Sequence, residues 1–110
     1  MLNINLSGKN IDLDEPLKVF VDERIGGLEH LVQDMGEIPV HVEIGKSTRH
    51  HKTGPFFYAE ANMRIGGTLL RATCEHEDLR NAIVDVKHEL ERQIKKLKEK
   101  NRDLSRHPQE

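Results

Sequence analysis

The stretch from Glu77 to Arg102 constrains this chain more than any other. Apolar residues fall at Leu79, Ile83, Val86, Leu90, Ile94 and Leu97, and spacings of three and four lay them in one stripe along an α-helix. Around that stripe stand Arg80, Lys87, Arg92, Lys95, Lys96, Lys98, Lys100 and Arg102. Such a helix is about 39 Å long, whereas an eight-residue strand spans only about 26 Å. If it packs on a sheet its last turns overhang, and the overhang is its most basic part.

The chain upstream supplies such a sheet. Leu2, Ile4 and Leu6 alternate with Asn3, Asn5 and Ser7, the pattern of a half-buried strand over residues 1–7. Asp12 and Glu15 fit a capping box and Pro16 a first helical turn, so a helix is expected from Glu15 to Val32, weakened by Gly26-Gly27. A second strand covers Ile38 to Ile44, a polar loop Gly45 to Pro55, and a third strand Phe56 to Ile65 with Phe57, Ala59, Ala61, Met63 and Ile65 inward. Gly66-Gly67 marks a hairpin, and Thr68 to Glu75 a fourth strand. The order β-α-β-β-β-α predicts an α+β two-layer sandwich: a four-stranded sheet with both helices on one face. Residues 1–104 read as a single domain and 105–110 as a frayed tail.

The net charge of −2 hides a gradient. Residues 1–45 hold three Lys/Arg against nine Asp/Glu, residues 46–91 seven of each, and residues 92–110 seven against three. A basic end on an acidic body points to an oriented polyanionic partner. On a helical wheel Arg80, Lys87, Lys95, Lys98 and Arg102 share one flank of the apolar stripe, and Arg92, Lys96 and Lys100 lie on or beyond the other. Within residues 92–106 only Glu99 and Asp103 interrupt the cations. Cations along a rigid rod suit phosphates, each displacing a condensed counterion, and Arg can grip two phosphate oxygens. The competing reading is a solvated helix end. Lys46, Arg49, His50 and Lys52 of the long loop offer a second backbone contact, set against a loop with no contact at all.

Other chemistry is sparse. One cysteine excludes an intrachain disulfide. Cys74 reads as a small core residue, and with His76 it forms the only weak enzymatic alternative. His50-His51 lacks a third ligand, so no metal site is expected, and no Walker loop or Rossmann glycine pattern appears. Among the aromatics only Tyr58 faces outward on a strand, which favours backbone recognition by helices over base stacking on the sheet. No apolar run approaches a membrane span and no leader precedes the first strand, so a cytoplasmic protein is expected.

Particular residues carry a resemblance. Asn3-Ile4 with Gly8-Lys9-Asn10, Val21-Asp22-Glu23-Arg24-Ile25 with Leu28-Glu29, and Glu77-Asp78-Leu79 with Ala82-Ile83 and Leu90-Glu91-Arg92-Gln93-Ile94-Lys95-Lys96 with Lys98 resemble the short ribosome hibernation-promoting factors, or ribosome-associated inhibitors. The resemblance covers roughly residues 1–102. It implies a non-enzymatic translation inhibitor without cofactor or small-molecule substrate. Its partner would be the small ribosomal subunit, whose ribosomal RNA it contacts while occluding the messenger and transfer RNA sites. The positions that match the family's contacts are Arg24, Arg92, Lys96, Lys98 and Lys100; Arg80, Lys87, Lys95 and Arg102 come from the charge pattern. The chain departs from the family at Arg80, where an aromatic is usual, at Glu89, where a base is, and at Gly27, where lysine is common. A general double-stranded RNA-binding module is the alternative reading.

Overall fold

The structure, a computed structural model, describes residues 1–47 and 56–106, the last four of these for their backbone alone. In chain order the elements are β1 (Leu2–Lys9), α1 (Glu15–Gly26), α2 (Glu29–Val32), β2 (Ile38–Lys46), β3 (Phe57–Ile65), β4 (Thr68–His76) and α3 (Leu79–Arg106). The sheet order is β1-β2-β3-β4. β1 runs parallel to β2 with Leu2 opposite Ile38, and the other two pairings are antiparallel. The crossover between the parallel strands passes through α1 and α2. Both long helices cover one face of the sheet, as the pattern of inward residues requires.

Alternation decides that face. Ile38, Val40, Val42 and Ile44 of β2, Ala59, Ala61 and Met63 of β3, and Leu70 and Ala72 of β4 are buried beneath the helices. Leu17, Val21 and Ile25 of α1 and Ala82, Ile83, Val86, Leu90 and Ile94 of α3 close over them. Gly45 lies within β2, beyond the expected strand end, paired with Lys9 and Tyr58, and only glycine fits there: a Cβ would overlap the Lys9 carbonyl oxygen and come 3.0 Å from the Tyr58 ring. At the β3–β4 hairpin Gly66 has φ 59°, the left-handed conformation that the tight reversal needs and glycine supplies.

The helices depart from expectation at their ends. Asp14, not Asp12, caps α1: its extended backbone lets its carboxylate accept the Leu17 N–H at 2.9 Å. The expected single helix to Val32 breaks after Gly26. Gly27 N–H still reaches the Glu23 carbonyl, but Leu28 N–H pairs with Ile25 and Leu31 N–H with Leu28, three residues back. This tighter winding swings Leu28 and Val32 into the core. Glu29 then accepts the Leu2 N–H at 3.0 Å, a bond that lowers the Glu29 pKa and ties α2 to β1. α3 begins at Leu79 and continues to Arg106, past the expected end at Arg102.

Candidate nucleic-acid interface

α3 is the scaffold of the basic surface. Asp78 caps it, its carboxylate accepting the N–H groups of Arg80 at 2.8 Å and Asn81 at 3.2 Å. Its apolar stripe is buried from Ala82 through Ile94, Leu97 is half-buried, and residues 98–102 are all exposed. With 28 residues it is about 42 Å long, against about 30 Å for a nine-residue strand. The last turns therefore overhang the core, and they carry Lys98, Lys100 and Arg102.

One flank of α3 faces α1 and α2. The Arg80 guanidinium carbon lies 5.4 Å from the centroid of the half-buried Phe20 ring, and that of Arg24, from α1, lies 5.0 Å from the same ring. Two turns further along α3, Lys87 passes Gly27, where a Cβ would sit 4.0 Å from Lys87 Cε. Lys87 and Lys95 share Glu91, at 3.8 and 3.2 Å, and the Lys95 ammonium holds the Glu91 carboxyl below its ordinary pKa. Lys98 Nζ donates to the Leu31 carbonyl at 2.9 Å. Leu31, Lys95, Lys98, Glu99 and Arg102 line an open groove of about 380 Å³ beneath the overhang.

The other flank faces β4. Arg92 donates to both carboxylate oxygens of Glu89, at 3.1 and 2.5 Å, and Gln93 donates to Glu89 at 2.8 Å and to the Arg71 carbonyl of β4 at 2.9 Å. The Arg92 and Gln93 hydrogen bonds hold the Glu89 carboxyl down at about 2, and the same pairing raises Arg92.

The nine candidate cations thus fall into groups. Arg92, Lys87 and Lys95 are engaged by this chain's own carboxylates, contrary to the expectation that partners would be too few. The count over residues 92–106 left out Glu89 and Glu91, which reach forward three and four residues. Lys96, Lys100 and Arg102 are exposed and make no ion pair among the described residues, and Lys98 is held by the Leu31 carbonyl. Arg24 and Arg80 have an aromatic partner instead of an acidic one. Lys46 ends β2 and is exposed, while Arg49, His50 and Lys52 lie outside the described residues.

Sequence reasoning missed Phe20, Glu89, Glu91 and Gln93. Each had a signal: Phe20 precedes Arg24 by four residues, Glu89 precedes Arg92 by three and Gln93 by four, and Glu91 precedes Lys95 by four, the spacings at which helical side chains meet. Cys74 and His76, the pair of the enzymatic alternative, have separate surroundings. Burial, with Asp85 and Glu89 nearby, raises the Cys74 thiol away from its reactive form, and His76 Nδ1 accepts the Asp78 N–H at 3.0 Å. Among the described residues no group of three His, Cys, Asp or Glu is placed to hold a metal. No helix among them is long and apolar enough to cross a membrane.

Known proteins share this fold. The Thermus thermophilus Protein Y N-terminal domain superposes with a TM-score of 0.71 at 26% identity, over 84% of this chain and 93% of that one. A ribosomal subunit interface protein from Coxiella burnetii shares the fold, with a TM-score of 0.67 at 19% identity over 89% of this chain and 98% of that one. In sequence, a ribosome hibernation promoting factor from Pseudomonas putida is 29% identical over 103 residues, 94% of this chain and 93% of the relative. A ribosome hibernation promotion factor from Lactococcus lactis is 26% identical over 98 residues, of which this chain spans half the relative's length. Residues 4–102 match the family model described as Sigma 54 modulation protein / S30EA ribosomal protein. With nearly its whole length inside that match, the chain belongs to the Sigma 54 modulation protein / S30EA ribosomal protein family.

Proposed function

We propose that this protein is a cytoplasmic ribosome hibernation factor. It binds the small ribosomal subunit through the basic side chains of α1 and α3, lies against ribosomal RNA, and blocks the sites of messenger and transfer RNA in dormant or stressed cells. Residues 1–104 form the binding unit. The observation that carries this reading is the charge state of α3 beyond its last buried turn, where Lys96, Lys100 and Arg102 project without carboxylate partners among the described residues. Family membership supplies the ribosome, and the overhang supplies the chemistry. A cation already satisfied by its own chain releases no counterion from RNA, whereas a free one does.

The mechanism is steric. No bond is made or broken; a rigid domain occupies a channel that translating RNA must use. Affinity dominated by phosphate contacts falls by about 0.7–0.9 log units of K per phosphate for each log unit of salt. The test is co-sedimentation with purified small subunits at two salt concentrations, comparing wild type with Lys96→Glu/Lys100→Glu. The reversed charges should abolish pelleting at the higher salt and flatten the salt dependence. Equal pelleting of both proteins would remove the overhang from the interface. Competition by naked duplex RNA at the same concentration as small subunits would favour a general RNA-binding module.

A further inference from the structure

Most cations on α3 are either neutralised nearby or project alone into solvent. Arg24 and Arg80 do neither. They come from different helices, α1 and α3, yet both guanidinium carbons lie within 5.4 Å of one ring centroid, that of Phe20. No carboxylate pairs with either among the described residues. Arg24 stands in the last turn of α1 and Arg80 in the first turn of α3, so nothing in the local sequence of either helix alone brings them together. The ring does: it is half-buried, and both guanidiniums stand over it at cation–π distance.

We infer that Phe20 is a positioning residue that gathers Arg24 and Arg80 into one site for a nucleic-acid backbone phosphate, at the junction of α1 and α3. The inference rests on the reading that this surface meets ribosomal RNA. A cation–π contact uses the charge of a guanidinium without consuming its N–H donors, so those of both residues stay available for phosphate oxygens. Two like charges held in one place repel, and an anion shared between them relieves that repulsion, so a phosphate gains more here than at two separate arginines. Holding both side chains in advance also removes part of the ordering cost that long flexible cations otherwise incur on binding. A carboxylate-bearing peptide is the other anion the pair would accept. It lacks the tetrahedral set of oxygens that two guanidinium forks address together.

The experiment follows the arginine Nε–H signals by NMR while inorganic pyrophosphate is added, in wild type, Phe20→Leu and Phe20→Tyr. In wild type the Arg24 and Arg80 signals should move together along one saturation curve, ahead of Arg92, which Glu89 already holds. Phe20→Tyr keeps the ring face and should titrate like wild type, while Phe20→Leu should bind pyrophosphate roughly threefold to tenfold more weakly. Ring-current displacement of the Arg24 and Arg80 side-chain protons in wild type reports the stacking without any variant. Absence of that displacement would overturn the proposal even where Phe20→Leu fails to fold. Equal titration of wild type and Phe20→Leu, equal loss in both variants, or acetate binding as well as pyrophosphate would also overturn it. Co-sedimentation of the same proteins with small subunits separates the two readings. Pyrophosphate binding without pelleting sinks the ribosomal reading and leaves the site, whereas pelleting without a coupled titration does the reverse.

Discussion

Glu89 grips Arg92 with both of its oxygens, at 3.1 and 2.5 Å, and so withholds from solvent a cation that the charge pattern of α3 seemed to offer. Gln93 completes the arrangement by bonding Glu89 and the Arg71 carbonyl together. Gln93 is thus the brace between helix and sheet, and Glu89 the competitor for any phosphate approaching Arg92.

Removing that competitor should strengthen polyanion binding. Glu89→Gln keeps the shape and frees the guanidinium, and affinity for small subunits at fixed salt should rise roughly twofold to fivefold. Filter binding or co-sedimentation checks it, and weaker binding would show that Arg92 needs Glu89 to hold it in place.

The pair also sets a pH dependence. Glu89 is held at about 2 against an ordinary 4.5, so the folded state favours its ionised form. A depressed carboxyl contributes stability that is fully present above pH 4.5 and is lost as the pH falls from there toward 2. The melting-temperature gap between wild type and Glu89→Gln should therefore be constant near neutrality and close under acid. A gap that widens on acidification would contradict the sign.

Arg92→Glu should behave differently from Lys96→Glu. The first sets two carboxylates side by side and leaves Gln93 to serve one of them, so it lowers both melting temperature and affinity. The second touches no partner among the described residues, so it should lower affinity with the melting temperature unchanged. Thermal melts alongside binding measurements distinguish the two patterns.

Core substitutions give the scale. Leu90 is fully buried in α3, and Leu90→Ala should cost about 2–5 kcal/mol in denaturant unfolding. Gly45→Ala should cost about 1–3 kcal/mol, because the added methyl meets the Lys9 backbone, which cannot rotate away. An unchanged midpoint for Gly45→Ala would mean that the first two strands separate more easily than their eight-residue pairing implies.

The architecture was legible because burial repeats. Period two in β2 and β3 and the threes and fours of α3 each specify a face, and four strands with two striped helices leave few ways to bury them. The break at Gly27 was less legible: glycine there marks a weak point, but only packing of Leu28 and Val32 decides that the chain turns. The basic surface was legible as charge and not as availability. Whether a cation is free depends on a carboxylate one turn away, on a ring that for Arg80 belongs to another helix, or on a carbonyl such as that of Leu31, and the last two of these lie far from their cations in sequence.

The bond from Lys98 to the Leu31 carbonyl has a mechanical consequence. A rod clamped along one end alone bends under a lateral load at its tip; a rod with a second prop behaves as a stiff lever. The short turn at Gly27 builds that prop, since it delivers Leu31 under the free end of α3. Lengthening or straightening the turn would re-aim the tip while leaving every charge on it intact.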